Sequence, residues 1–131
     1  MAGAPVEILR RVPLFEDLDP HELQAIAGSM HEANVPAGAS VTAEGGPGDG
    51  FFVIESGEAE VTIDGETRGT MSAGEYFGEI ALLLGSSRTA TVTAATDLRC
   101  YALTPWDFRE LVEGEPSIAW KVMQSMAARL G

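Results

Sequence analysis

The sequence predicts a mainly β protein, a small antiparallel barrel or jelly roll with helices at both ends. Two observations predict it. Apolar residues recur at helical spacing near both termini, and from about His31 to Leu103 the period falls to two. Short apolar runs in that middle stretch are separated by glycines and prolines, of which the chain has 15 and 7, as the many turns of a β structure require.

The elements follow in order. Val6 to Arg11 is expected to form a short helix ending near Pro13. Asp19-Pro20-His21-Glu22 reads as an N-cap, a proline at the first helical position and a capping-box carboxylate. Leu23, Ile26, Ala27 and Met30 then form one apolar face. Phe51-Phe52-Val53-Ile54 reads as a buried strand, bounded by the loop Gly45 to Gly50 and by Gly57. Ala59, Val61 and Ile63 alternate with Glu58, Glu60, Thr62 and Asp64, a strand with one wet face, and Asp64-Gly65 is a hairpin turn. Ala90, Val92 and Ala94 alternate with threonines in another strand, and Leu98, Cys100 and Ala102 share the face of a third. Thr104-Pro105-Trp106-Asp107 reads as a second capping box, with Leu103 and Phe108 as a hydrophobic staple. Pro116 opens a last helix whose stripe is Ala119, Val122, Met123, Met126, Ala127 and Leu130, expected to be core or an interhelical seam. Trp106 and Trp120 are expected to be packing residues, with Trp120 also placed to reach toward a bound ligand.

Composition narrows the function. The chain has 131 residues, enough for a real core, and 8 basic against 20 acidic side chains give a net charge of -12. That field repels nucleic acid and anionic membranes, so no direct nucleic-acid partner is expected. An anionic ligand would need a site built from local groups. The lone Cys100 permits no internal disulfide and is expected to be a buried, inert thiol. The first residues lack an apolar core of signal-peptide length, and no apolar run approaches the ~20 residues that span a bilayer. A soluble cytoplasmic chain is the expectation. Two histidines, His21 and His31, are too few and too poorly placed for a metal enzyme on a similar roll. No serine or cysteine nucleophile has an evident base, so no catalysis is expected.

The specific chemistry lies in Phe77-Gly78-Glu79-Ile80-Ala81-Leu82 and, after Gly85-Ser86-Ser87, in Arg88-Thr89-Ala90-Thr91-Val92. Backbone N–H groups of a turn over Gly78 to Ala81 can face an anion, and Gly78 lets the backbone come close. Arg88 can give a phosphate two parallel donors, a geometry that lysine lacks. Glu79 beside a phosphate is unfavourable unless a hydroxyl donates to it, as a ribose 2′-hydroxyl does. These residues suit a sugar phosphate, and a cyclic nucleotide monophosphate in particular. Its base would need an apolar wall, for which Val61 and Met71 are candidates.

Gly78-Glu79-Ile80-Ala81-Leu82 with Arg88-Thr89-Ala90 closely resembles the phosphate-binding cassette of cyclic nucleotide-binding domains. These are the domains of cAMP-dependent kinase regulatory subunits, the bacterial catabolite activator and nucleotide-gated channels. The resemblance extends over nearly all of the chain, through Leu14-Phe15 and Leu23, Gly57 to Val61, Gly74 to Phe77 and Asp107-Phe108. It implies an antiparallel β roll, a jelly-roll-like double-stranded β-helix, with helices at both ends. One domain over 1–131 is expected, with N-terminal helices in 1–30, the roll in 31–103 and C-terminal helices in 104–131.

The resemblance also implies roles. Gly78 and Ala81 would offer N–H groups on either side of Ile80, Glu79 would take the 2′-hydroxyl, and Arg88 would pair with the phosphate. Thr89 and Ala90 would line the phosphate and the base edge. The ligand would be cAMP, with cGMP as the alternative, and no other cofactor is implied. The chain would be a non-catalytic sensor controlling an attached or partner effector, with self-association through the last helix as a further expectation. The alternative is a roll that has lost nucleotide binding and works through protein contacts. In the family the helix near Pro116 usually extends further than Leu130-Gly131, so the lid over the base is expected to be short, supplied by a partner, or part of a longer protein.

Overall fold

The computed structural model describes residues 4–42, 50–78 and 90–130. The helices are α1 (Val6–Arg10), α2 (Pro20–Ser29), α3 (Pro105–Gly114) and α4 (Pro116–Leu130), with a 3-10 turn at Pro13–Phe15. Between α2 and α3 run β1 (His31–Val35), β2 (Ser40–Thr42), β3 (Phe51–Ser56), β4 (Ala59–Ile63), β5 (Glu66–Met71), β6 (Tyr76–Phe77), β7 (Thr91–Ala94) and β8 (Leu98–Leu103). They form two four-stranded sheets, ordered β1-β8-β3-β6 and β2-β7-β4-β5. Every pairing is antiparallel. This is the β roll with helices at both ends that the sequence predicts.

Phe51 to Ile54 are all buried because β3 is covered on both sides. Phe51 and Val53 pack with Leu9, Phe15, Ile26, Ile118 and Val122 against the helices. Phe52 and Ile54 point the other way, into a second core with Ala59, Val92, Ala94, Leu98 and Cys100 between the sheets. The order of layers is therefore helices, first sheet, second sheet. Cys100 lies in that inner core, and burial pushes its thiol up to about 11, which makes it unreactive.

Local signals hold where they are chemically complete. Asp19 accepts from the Glu22 N–H at 2.8 Å while Glu22 returns the contact to the Asp19 N–H at 2.9 Å. Asp64 and Gly65 have φ of 53° and 79°, the left-handed pair that a tight hairpin needs. On β4 the expected dry face is fully buried only at Ala59, and Val61 and Ile63 are half-buried, because the strand runs outward from the core.

Three expectations at the C-terminal end are corrected. Thr104 caps α3 by accepting from the Asp107 N–H, but the capping box is not completed. The shorter aspartate side chain is drawn instead to His31, with Oδ2 3.1 Å from Nε2. On α4 the buried face is Ile118, Val122 and Ser125, so Met123, at 54% exposure, and Ala127 turn outward from the expected stripe. Trp106 and Trp120 are 69% and 59% exposed and so are not packing residues.

The docking of α4 has a polar seam as well as an apolar one. Glu22 is 2% exposed, and its carboxylate accepts from Lys121 Nζ at 2.6 Å and from Ser117 Oγ. Ser125 Oγ donates to the Pro13 carbonyl at 2.7 Å. Burial alone would push the Glu22 carboxyl up. The hydrogen bonds from Lys121, Ser117 and the Asp19 N–H outweigh it and hold the group down at about 2. A carboxyl that binds its proton less readily when folded contributes stability above its ordinary value of 4.5 and loses that contribution as pH falls toward 2. Glu22→Gln is expected to cost about 2 kcal/mol at pH 7, with the gap to the unsubstituted chain closing at pH 3. Urea unfolding at the two pH values measures both.

Candidate functional site

Two anchored ends of the chain define the site. Glu75 accepts from the Ser72 N–H at 2.6 Å, and the turn they close is tied to β3 by Gly74 N–H to Ile54 carbonyl and Ile54 N–H to Glu75 carbonyl bonds of 2.9 Å. The chain then enters β6, where Phe77 stacks on Phe52 with centroids 5.1 Å apart and planes 14° apart. Gly78 follows at φ 95°, a conformation that side chains resist. At the far end Ala90 is half-buried, and β7 begins at Thr91 with Val92 buried in the same core as Phe52 and Phe77. Residues 78–90 thus join an edge strand of the first sheet to an inner strand of the second.

Glu79, Ile80, Ala81, Arg88 and Thr89 lie outside the described residues, as do the Gly85-Ser86-Ser87 turn and the loop from Gly45 to Asp49. Of the expected site residues, Gly78, Ala90, Val61 and Met71 are placed. Val61 and Met71 are half-buried on β4 and β5, and both pack against the core between the sheets. Val61 stands opposite Val92, and Met71 stands opposite Ala59. Phe77, Val92, Val61 and Met71 therefore share one apolar body.

Several other charged groups are paired away from these residues. Arg99 reaches Glu32 at 2.9 Å and Glu55 at 3.0 Å. Its charge is thus shared by two carboxylates, and among the described residues the basin of about 470 Å³ beside it, lined in part by Asn34, Ser56 and Asp97, has no other cation. Tyr101 donates to Glu55 at 3.3 Å, and burial, then that carboxylate, raise its phenol above the ordinary value. His21 and His31 sit 2.9 Å from Glu115 and 3.1 Å from Asp107, joining α2 and β1 to the two ends of α3. Among the described residues no group of three or more His, Cys, Asp or Glu side chains could hold a metal ion. No described helix is long and apolar enough to cross a membrane.

Comparison with known proteins agrees with this architecture. The cyclic nucleotide-binding domain family model matches residues 32–115. The cAMP-dependent protein kinase regulatory subunit of Yarrowia lipolytica is 42% identical over 106 residues, which are 79% of this chain and 28% of that protein. The chain thus spans under a third of that relative. The crystal structure of the N-terminal domain of a transcriptional regulator from Streptomyces coelicolor A3(2) superposes with a TM-score of 0.86 at 31% identity, covering 94% of this chain and 91% of that one. The regulatory domain of Toxoplasma gondii cAMP-dependent kinase, crystallised with cAMP, gives 0.73 at 33% identity, covering 81% and 42%. The chain belongs to the cyclic nucleotide-binding domain family.

Phe77 is the contact that sequence reasoning passed over, since a two-residue strand shows no periodicity. Phe77→Ala is expected to cost about 2 kcal/mol, less than a fully buried phenylalanine would. It should also speed amide exchange in β6 and β7 well beyond any change in α2, which native-state hydrogen exchange can resolve.

Proposed function

We propose that this chain is a non-catalytic cyclic nucleotide sensor, with cAMP as its ligand and cGMP as the competing base. The observation that carries the reading is that Phe77 and Val92, which flank residues 78–90 in sequence, share one apolar body with Val61 and Met71. The cAMP-containing relative of the same fold supports it. In this reading Gly78 and Ala81 present N–H groups to the phosphate, with Ile80 between them. Arg88 pairs with the phosphate, Glu79 accepts from the 2′-hydroxyl, and Thr89 and Ala90 line the phosphate and base edge. Val61 and Met71 wall the base.

The site is polar at one end and apolar at the other, as a nucleotide is. Capture draws the turn inward and re-packs α3 and α4 against the roll, which passes the signal to an attached or partner effector. Only a nucleotide that binds the two arrangements with different affinity can shift them. Unchanged amide exchange in α3 and α4 at saturating nucleotide would sink that part.

A second reading is a roll without nucleotide that works through protein contacts. The exposure of Trp106, Trp120 and Met123 favours it. Isothermal titration separates the two. Saturable binding of cAMP is expected, weakened about a hundredfold or more in Arg88→Ala and about tenfold or more for 2′-deoxy-cAMP. Binding that survives Arg88→Ala intact removes the assigned phosphate contact, and no heat with either nucleotide favours the protein-contact reading.

A further inference from the structure

The outward N–H and C=O groups of an edge strand are a template for another chain, and proteins guard such edges with bulges, prolines, lysines or short length. The two sheets end in β1 and β6, and in β2 and β5. β6 has two residues, and β2 has three with a register shift. β5 is interrupted by a register shift beside Arg68. β1 has none of these guards. Its five residues pair with β8 in unbroken register, from His31 opposite Ala102 to Val35 opposite Leu98, and include no lysine or proline. His31, Glu32 and Asn34 are exposed, and the Glu32 carboxylate is matched by Arg99 at 2.9 Å. Among the described residues no strand pairs with the outer side of β1.

A second feature adjoins the same edge. The basin of about 470 Å³ beside Arg99 lies at the Val35 end of β1, between Asn34, Ser56 and Asp97. Its frame is pinned by hydrogen bonds among three turns. Ala37 N–H donates to Asp97 Oδ1 at 3.0 Å, Glu58 N–H to Thr96 Oγ1 at 3.0 Å, and Gly38 N–H to the Ala94 carbonyl at 2.7 Å. The register shift on β3 leaves Glu55 over and sets Ser56 opposite Arg99.

The chemistry of the basin selects a cation. Arg99 is already matched by Glu32 and Glu55. Asp97 gives one oxygen to the Ala37 N–H, and Asn34 donates its amide to Glu32 at 3.3 Å. What remains is a second carboxylate oxygen and an amide carbonyl, both acceptors. Val35 and Pro36 add an apolar wall. A lysine or arginine side chain brings donors alone, on an apolar stem, and a net charge of -12 attracts it.

We infer that β1 takes up an extended basic segment of a partner protein, which adds a strand to the first sheet and sets a lysine or arginine in the basin. Main-chain bonds along the edge supply affinity, and the basin selects the side chain. β6, which leads into residues 78–90, is the opposite edge of that sheet, so this surface is independent of the nucleotide reading.

The test is fluorescence anisotropy with labelled peptides of about seven residues, a strand's length. Valine and threonine alternate around a central lysine, arginine or glutamate. The lysine and arginine peptides are expected to bind saturably and to slow amide exchange in β1 but not in β5. Methylating alternate backbone nitrogens on the edge-facing side of the peptide removes its donors and should abolish binding. Asp97→Asn keeps an acceptor for the Ala37 N–H but loses the charge, and should weaken the basic peptides about tenfold. Asp64→Asn, the same charge change in the turn between β4 and β5, should leave them unaffected. Failure of both basic peptides to bind overturns the inference, as does equal binding of the glutamate peptide. Binding without protection of β1, or equal loss in Asp64→Asn, also overturns it, since either is general attraction to an acidic protein.

Discussion

A strand covered on both faces has no side on which water can solvate a polar residue, and this is why Phe51 to Ile54 carry four apolar side chains in a row. The constraint reaches both cores. Phe51 meets Phe15 edge-on at 5.4 Å and Tyr76 at 5.6 Å on the helical side. Phe52, one residue later, stacks on Phe77 on the roll side. The helices and Phe77 therefore rest on adjacent residues of one strand. Such a strand resists small shifts, because close-packed interiors do not deform gradually.

The helical layer is held by polar contacts as well as apolar ones. Its apolar contacts from Ile118 and Val122 are joined by the Glu22–Lys121 pair and by the Ser117 and Ser125 hydroxyls. A buried carboxylate adds little net stability, since its desolvation offsets much of the attraction, yet it strongly penalises any arrangement in which it loses its partners. The seam thus fixes where α4 sits more than how tightly it holds. Specific placement is what a helix needs if its position is to carry information.

Much of this was legible in the sequence, where the signal is local and chemically complete. Asp19 with Glu22 and Asp64 with Gly65 each contain all the groups that their motifs need, so the structure follows them. Thr104 with Asp107 failed because an outside partner, His31, competes for the carboxylate. On α4, apolar residues occur all round the helix, and periodicity alone could not choose between Ile118–Val122 and Met123–Ala127 as the buried face. The Glu22–Lys121 pair joins residues 99 apart in sequence and shows no trace in any window. The family was legible in the cassette motif, and the family model matches residues 32–115.

Electrostatics set the terms on which such a site can work. At a net charge of -12 the protein as a whole repels an anion, and four of the described cations already face carboxylates. Arg99 and Lys121 are held by carboxylates, and Arg68 and Arg109 lie near Glu66 and Glu113. Attraction must then come from groups within a few ångströms of the phosphate, where the field of a guanidinium and oriented N–H dipoles outweighs distant, water-screened charges. That requirement favours ligands with a single charge and a large apolar body, for which base burial can supply affinity that long-range attraction cannot. It disfavours polyphosphates, whose added charges would meet the acidic surface without new partners. On the nucleotide-binding reading proposed above, the acidic composition and an apolar wall of Val61 and Met71 would act together on selectivity.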